Sequence, residues 1–495
     1  MGRLSRRALL LGSGAVVGWL GAKALAPALS DLTGTRSLAH EPAAGTLNDA
    51  SMLSETPVSA HVIVKEDPGE VLVDILRSEM RQAAAEGRAI NIGAARHSMG
   101  AQAIPRGGRA ITLQSGFVEA DTAAQTYRVQ AGVRWHQVIA ALDPLGLSPK
   151  VMQSNNDFGV AATFCVNAHG WPAPLGPMGA TVRSFDMLLP TGDLVTCSRD
   201  ENPDLFGRTM GGYGLTGLIT ELEVDAAPNA NLIPTFTEMP AVDFAASLAA
   251  ALTRPDLNMV YGRLNVDRAR FFEDALLIDY VPGADQDDIA PASSSGALSK
   301  ISRHIFRGQL GRERVKRARW WVETALGPKV GGGVVTRNSL INEPVVTLDD
   351  RDPMRTDILH EYFVAPDQFG AFLTLCQTVI PASYQELLNV TLRYVAADTE
   401  SWLSYAPEPR IAAVMLFSQE MTARSEADMA RMTRALIDGI IAIGGTYYLP
   451  YRPHATVGQL QRGYPRAIEF AVEKRAQDPA GRLRNNLWDS YLRHL

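Results

Sequence analysis

Two short stretches put reactive side chains where chemistry is possible. In "GAARHSMGAQA", residues 93–103, a histidine follows an arginine inside a run of small residues. Gly93, Ala94, Ala95, Ser98 and Gly100 leave room for main-chain N–H groups to come close to an anion, a nest that needs no helix N-terminus. Arg96 contributes either charge to that nest or a solvated side chain. His97 brings an imidazole nitrogen that can act as a nucleophile. In "YLPYRPHAT", residues 448–456, Tyr451, Arg452 and His454 follow a strand-like run. His454 has the ordinary pKa range of a general base near neutrality. A third histidine, His169 in "VAATFCVNAHG" at residues 160–170, either lines a site or is a satisfied core residue.

The elements that must position these residues alternate between helical and strand patterns. "VLVDILRSEMRQAAAEG" places Val71, Leu72, Ile75, Leu76 and Met80 at helical spacing and stops at Gly87, which suits a C′ position. "AINI" and "RAITL" read as strands on either side of the His97 loop, and "YRVQAGVRWHQVIAALDPLG" as strand, turn and helix. "SFDMLLPTGDLVTCS" has two β-like runs around a Pro-Thr-Gly-Asp turn, which predicts a hairpin. "GYGLTG", Gly212 to Gly217, matches GxGxxG literally, but a helical pattern precedes it and a strand pattern follows. A dinucleotide fingerprint needs the opposite order, so a nicotinamide Rossmann site is not expected.

Composition narrows the classes further. Of 495 residues, 46% are hydrophobic and 20% charged, which fits a globular chain of more than one domain. A formal net charge of -6 gives no global footprint for nucleic acid, so none is expected as a partner. Cys165, Cys197 and Cys376 have no CxxC spacing, which excludes a disulfide framework and a conventional zinc site. Cys165 sits in an apolar run and reads as packing.

Taken together, the motifs resemble the flavoproteins of the vanillyl-alcohol oxidase type, which include alditol oxidase, the aldonolactone oxidases and cytokinin dehydrogenase. The resemblance rests on "GAARHSMGAQA", on "VAATFCVNAHG" and on "LLPTGDLVTCSRDENPDLFGRTMGGYGLTGLIT", and covers residues 58–228. A fainter likeness, to an alditol-oxidase segment, lies in "LRYVAADTESWLS", residues 392–404. It implies an α+β fold: a two-part PCMH-type FAD-binding domain with an inserted α+β cap carrying the substrate site. The expected organisation is an export signal at 1–26, a mobile linker at 27–57, the FAD-binding domain at 58–228, a cap at 229–444 and a return to the first domain at 445–495. "DPAGRLRN", ending at Asn485, resembles the family's closing segment.

The resemblance also assigns residues. It implies FAD as cofactor, joined covalently through His97, with Gly93, Ala94, Ala95, Arg96, Ser98, Met99, Gly100 and Gln102 around it. From the second segment it adds Gly159, Val160, Thr163, Asn167, His169 and Gly170, and from the glycine turn and the closure Gly214, Gly217, Ile219 and Asn485. For catalysis it points to Arg393 as the group that polarises the substrate oxygen, with Tyr451 and His454 behind it. The implied reaction is removal of a hydride from an alcohol, sugar or lactone carbon, on a small or lipid-linked alcohol. Three departures weaken a polyol assignment: Thr391 stands where alditol oxidases have a carboxylate, "VMLF" where they have a histidine, and Pro-Tyr-Arg-Pro-His at 450–454 replaces their histidine-tryptophan-glycine-lysine run. Amine oxidation of the cytokinin-dehydrogenase type is the alternative, with Asp157 as the carboxylate available for it. A non-enzymatic flavin store is a third reading. The electron acceptor stays open.

Two flanking features remain. "MGRLSRRALLLGSGAVVGWLGAKALA" pairs Arg6 with Arg7 ahead of a modest apolar run and an Ala-Leu-Ala ending, and resembles a twin-arginine export signal, which implies a periplasmic or otherwise exported protein. Residues 300–321 concentrate Arg303, Arg307, Arg312, Arg314, Lys316, Arg317 and Arg319 ahead of Trp320 and Trp321, the composition either of a helix at a membrane surface or of a solvated helix face.

Overall fold

The structure is a computed structural model that describes residues 36–293, 307–330, 332–344 and 352–495. The export-signal reading therefore lies outside the described residues, as does the part of the basic run before Arg307.

The first sheet is parallel, with Arg109–Leu113 between Ala60–Val64 and Ile90–Gly93. The helix Glu70–Ala85 buries Leu72, Val73, Leu76, Met80 and Ala83 against it, while Val71, expected on the same face, points to solvent. A second, antiparallel sheet follows in the order Leu194–Ser198, Val182–Leu188, Leu218–Pro228, Thr126–Gln130, Val118–Asp121, with Leu147–Pro149 against the end of its long central strand. The predicted hairpin is present, with Leu188 opposite Leu194. The glycine turn joins the helix Pro203–Thr209 to the strand Leu218–Pro228, an order that excludes a Rossmann phosphate site there.

The cap is built on one eight-stranded antiparallel sheet, ordered Val335–Thr336, Asn231–Pro240, Asp274–Pro282, Met259–Leu264, Glu386–Val395, Arg410–Glu420, Arg355–Val364, Thr446–Tyr447. Side chains alternate across a strand. Val390, Leu392, Ala413, Met415, Ile358 and Tyr362 accordingly share a core with the helices Phe244–Leu252, Phe369–Val379 and Ala423–Ala442. The residues between them, Thr391, Arg393, Val414, Leu416, Leu359 and Glu361, face the other way, into a cavity. Beyond Thr446–Tyr447 the chain goes back to the first sheet: the Ile90 N–H donates to the Arg482 carbonyl at 2.7 Å, and Leu483 joins the core under that sheet.

One expectation fails here. Residues 46–57 are not a loose linker, because Thr46–Leu47 pairs with Thr56–Pro57 and the buried Asp49 carboxylate accepts from the Ala101 N–H at 2.8 Å. That bond ties the segment to the His97 loop.

Candidate active site

A cavity of about 850 Å3 separates the two sheets of the first domain from the bare face of the cap sheet. Its lower wall is loop main chain. The strand Ile90–Gly93 delivers the chain into residues 94–103, and Met99 and Gln102 fix that loop: the Met99 N–H donates to the Pro450 carbonyl at 2.7 Å, and Gln102 Nε2 donates to the carbonyls of Leu449 at 2.8 Å and Tyr451 at 3.0 Å. Arg96 sits at φ 55°, with its Nε and one Nη buried and without a hydrogen-bond partner. Burial, helped by Arg134, pushes its guanidinium down to about 10. A desolvated cation with unused donors is matched by an anion.

The residues present fit FAD. Orphaned Arg96 suits a diphosphate, and Gly159 lets the second loop approach the first, since a Cβ there would lie 2.5 Å from the Ala94 Cβ. Gly93, Ala94, Ala95, Arg96, His97, Ser98, Met99, Gln102, Gly159, Thr163, His169, Gly214, Gly217 and Ile219 all line the cavity. His97 lies with its ring 4.5 Å from that of Phe158 and its Nε2 3.4 Å from Asp157 Oδ2. Cys165 also reaches the cavity wall instead of being pure packing, and burial raises its thiol to about 12, so it stays protonated.

Six expected site residues do not reach the cavity. Gly100 packs behind the loop, where a Cβ would meet the Tyr451 carbonyl at 2.9 Å, and Val160 is fully buried in the domain core. Asn167 turns away at φ 48° to hold Asp398 Oδ2 at 2.9 Å and to accept from the Gly179 N–H at 2.9 Å. Gly170 is required for packing, because a Cβ would fall 1.9 Å from the Met152 carbonyl. Asn485 caps the helix Asn486–Ser490 and donates to the Tyr213 carbonyl at 2.8 Å. His454 is buried behind the cap sheet, between Glu426 at 2.8 Å and Thr433 at 3.2 Å, so it cannot serve as a base in the cavity.

The upper wall is made of side chains. Arg393 Nη1 donates to the His169 carbonyl at 3.0 Å and Nη2 to Ser154 Oγ at 3.1 Å, leaving a buried Nε unpartnered. His169 Nε2 lies 2.5 Å from Glu361 Oε1, and the Tyr451 hydroxyl donates to Glu361 Oε2 at 3.1 Å. The side chains of His169 and Glu361 are each 2% exposed. Burial lowers the His169 pKa even though Glu361 opposes the shift, and burial with the Glu361 charge lifts the Tyr451 phenol well above its usual value. Arg393 is lowered by burial too, with Glu361 opposing, and remains cationic near neutrality.

Glu361 was not singled out by the sequence. Its one signal was a carboxylate inside the apolar strand "HEYFV". The basic run at 307–321 uses several of its charges internally: Lys316 pairs with Glu313 and Glu386, Arg317 with Asp267, and Arg319 with Glu323. Among the described residues no helix is long and apolar enough to cross a membrane, and no cluster of His, Cys, Asp and Glu gathers to hold a metal ion.

Comparison with known proteins agrees with this architecture. Residues 73–198 match the family model described as an FAD binding domain. Cytokinin dehydrogenase 7 of Oryza sativa subsp. japonica is 34% identical over 139 residues, 27% of this chain and 26% of its own. A putative D-arabinono-1,4-lactone oxidase of Neurospora crassa is 32% identical over 100 residues, 20% of this chain and 18% of its own. L-galactono-1,4-lactone dehydrogenase of Arabidopsis thaliana, a mitochondrial protein, is 27% identical over 123 residues, 25% of this chain and 20% of its own. The match thus spans about a quarter or less of these relatives. The crystal structure of 6-hydroxy-D-nicotine oxidase from Arthrobacter nicotinovorans superposes with a TM-score of 0.59 over 89% of this chain and 93% of that one, at 15% identity, which shows a shared fold. With the two-sheet lower domain and the inserted cap in place, residues 73–198 are similar to an FAD binding domain and the whole chain shares the fold of a flavoprotein oxidase.

Proposed function

We propose that the protein oxidises an alcohol, sugar or lactone carbon, with FAD held in the cavity and joined to His97. The observation that carries this reading is the buried Glu361 carboxylate, which accepts from His169 and Tyr451 beside the Arg393 guanidinium. When bound, FAD supplies a two-electron acceptor for the hydride that leaves the substrate carbon. The chain's own residues handle the remaining proton and charge. Tyr451 holds its proton at Oη until a substrate hydroxyl approaches. The hydroxyl proton then passes to Tyr451 Oη while the proton of Tyr451 moves to Glu361 Oε2. His169 orients Glu361 throughout through Nε2. Arg393, fixed by the His169 carbonyl and Ser154, meets the negative charge that develops on the substrate oxygen, where a buried guanidinium needs no reorganisation.

Anaerobic flavin reduction with a panel of polyols, aldonolactones and secondary amines tests the reading. Arg393→Met is expected to slow reduction by roughly a hundredfold or more, the effect of removing one preorganised oxyanion donor, with flavin content unchanged. Near-normal reduction in a folded variant removes Arg393 from the mechanism. Reduction by amines alone replaces alcohol oxidation with amine oxidation.

A further inference from the structure

One charged side chain of the cap wall has no role in the reaction proposed above. Arg263 lies on the strand Met259–Leu264, which pairs with Glu386–Val395 so that Tyr261 stands opposite Arg393 and Arg263 opposite Thr391. Arg263 and Arg393 are therefore diagonal neighbours, about 7–8 Å apart at the main chain, and both enter the same cavity.

The surroundings of Arg263 leave its charge uncompensated. Nη1 donates to Thr391 Oγ1, and the guanidinium lies 5.2 Å from the centre of the Tyr261 ring, which itself stacks on Trp171 at 4.4 Å. Among the described residues no carboxylate lies within ion-pair distance of it. Two acids on the cavity wall have arginines against them, Asp357 with Arg307 and Glu323 with Arg319, while Glu361 accepts from His169 and Tyr451. An arginine has five N–H donors in a planar fork that matches a carboxylate or phosphate, and a half-desolvated one among aromatic rings is stabilised most by an anion.

We propose that the substrate carries an anionic group, a carboxylate or a phosphate, which is bound by Arg263 while the reacting hydroxyl lies at Arg393. This rests on the alcohol-oxidation reading above and adds the substrate class to it. Thr391, hydrogen-bonded to the Arg263 guanidinium and to Asn389 Nδ2 at 3.2 Å, positions the fork. Two separate guanidiniums on neighbouring strands ask for a hydroxyl and an anion at different positions of the substrate.

The test uses the flavin-loaded enzyme and matched pairs: gluconate against sorbitol for the carboxylate, glucose 6-phosphate against glucose for the phosphate. Two quantities are read for each compound, its binding by perturbation of the flavin absorbance and its rate of anaerobic flavin reduction. The anionic member of at least one pair is expected to bind at least tenfold more tightly than its neutral partner, and the pair that shows it identifies the anion. Arg263→Met and Arg263→Gln are expected to abolish that preference, and Arg263→Lys to keep part of it. Equal binding of anionic and neutral members, or a preference that survives in the folded Met and Gln variants, overturns the proposal. If no alcohol reduces the flavin while anions still bind through Arg263, alcohol oxidation fails and the anion site stands. If neutral alcohols reduce the flavin as well as anionic ones and bind as tightly, the anion site fails and alcohol oxidation stands.

Discussion

The two walls of the cavity recognise by different means. Below, residues 93–103, 159–165 and 214–219 offer main chain, small side chains and one orphaned guanidinium; above, Arg263, Thr391, Arg393 and Glu361 offer functional groups from three separate strands of the cap. The lower wall works by leaving room, so added atoms harm it. The upper wall works by what its side chains carry, so removed atoms harm it.

Glu361→Gln keeps shape and removes the proton acceptor, so flavin reduction by a substrate alcohol is expected to fall by roughly a hundredfold to ten-thousandfold, the range of a lost general base, with flavin content unchanged. A loss of flavin instead would mean that the cap wall also holds the cofactor. Gly159→Val adds atoms to the lower wall where even a Cβ would meet Ala94 at 2.5 Å. Flavin occupancy after purification is expected to drop by about tenfold, since a clash of this kind costs about 1–3 kcal/mol. Normal occupancy would show that the loops shift apart freely.

His97→Ala separates attachment from binding. The unaltered protein is expected to keep its yellow colour in the pellet after acid precipitation, and the variant to release all of its flavin while still binding it at neutral pH. Free flavin released by acid from the unaltered protein would remove the covalent bond from the proposal.

The smallest effect concerns stability behind the cap wall. His360, buried beside Thr433 and Tyr362, is pushed down to about 3 by burial, with His454 adding to the shift. The unfolded chain takes up a proton near the ordinary value of 6.5. Its folded pKa is thus below its unfolded one, so its contribution is complete above about 6.5 and is lost as pH falls toward 3. Thermal unfolding measured between pH 7 and pH 4.5 should show His360→Gln with a shallower loss than the unaltered protein. Parallel slopes would mean that His360 is protonated in the fold.

The same contrast explains what could be read in advance. The lower wall was legible because its residue types stand in one contiguous run, small residues with a histidine and an arginine at 93–103, although distant carbonyls at 449–451 hold the path of that loop. The strands, the hairpin at 184–198 and the helix at 70–85 followed from apolar periodicity for the same reason. Asn167, Gly170 and Asn485 misled because a polar or glycine residue inside a cofactor motif serves main-chain geometry as readily as it serves the ligand. His454 misled because proximity to Tyr451 in sequence says nothing about which face of a packed segment a side chain takes.

What the sequence by itself determined is the flavin domain, its main elements and the placing of His97 among small residues, all marked by patterns within short stretches. Only the tertiary structure decided the chemistry of the upper wall. Glu361 meets Tyr451 across 90 positions and His169 across 192, and Arg263 meets Thr391 across 128. Those meetings depend on the register of the cap sheet and on its docking over the loops. A shift of one residue would turn Arg263, Thr391 and Glu361 into the helix-covered core, because side chains alternate between the two faces of a strand.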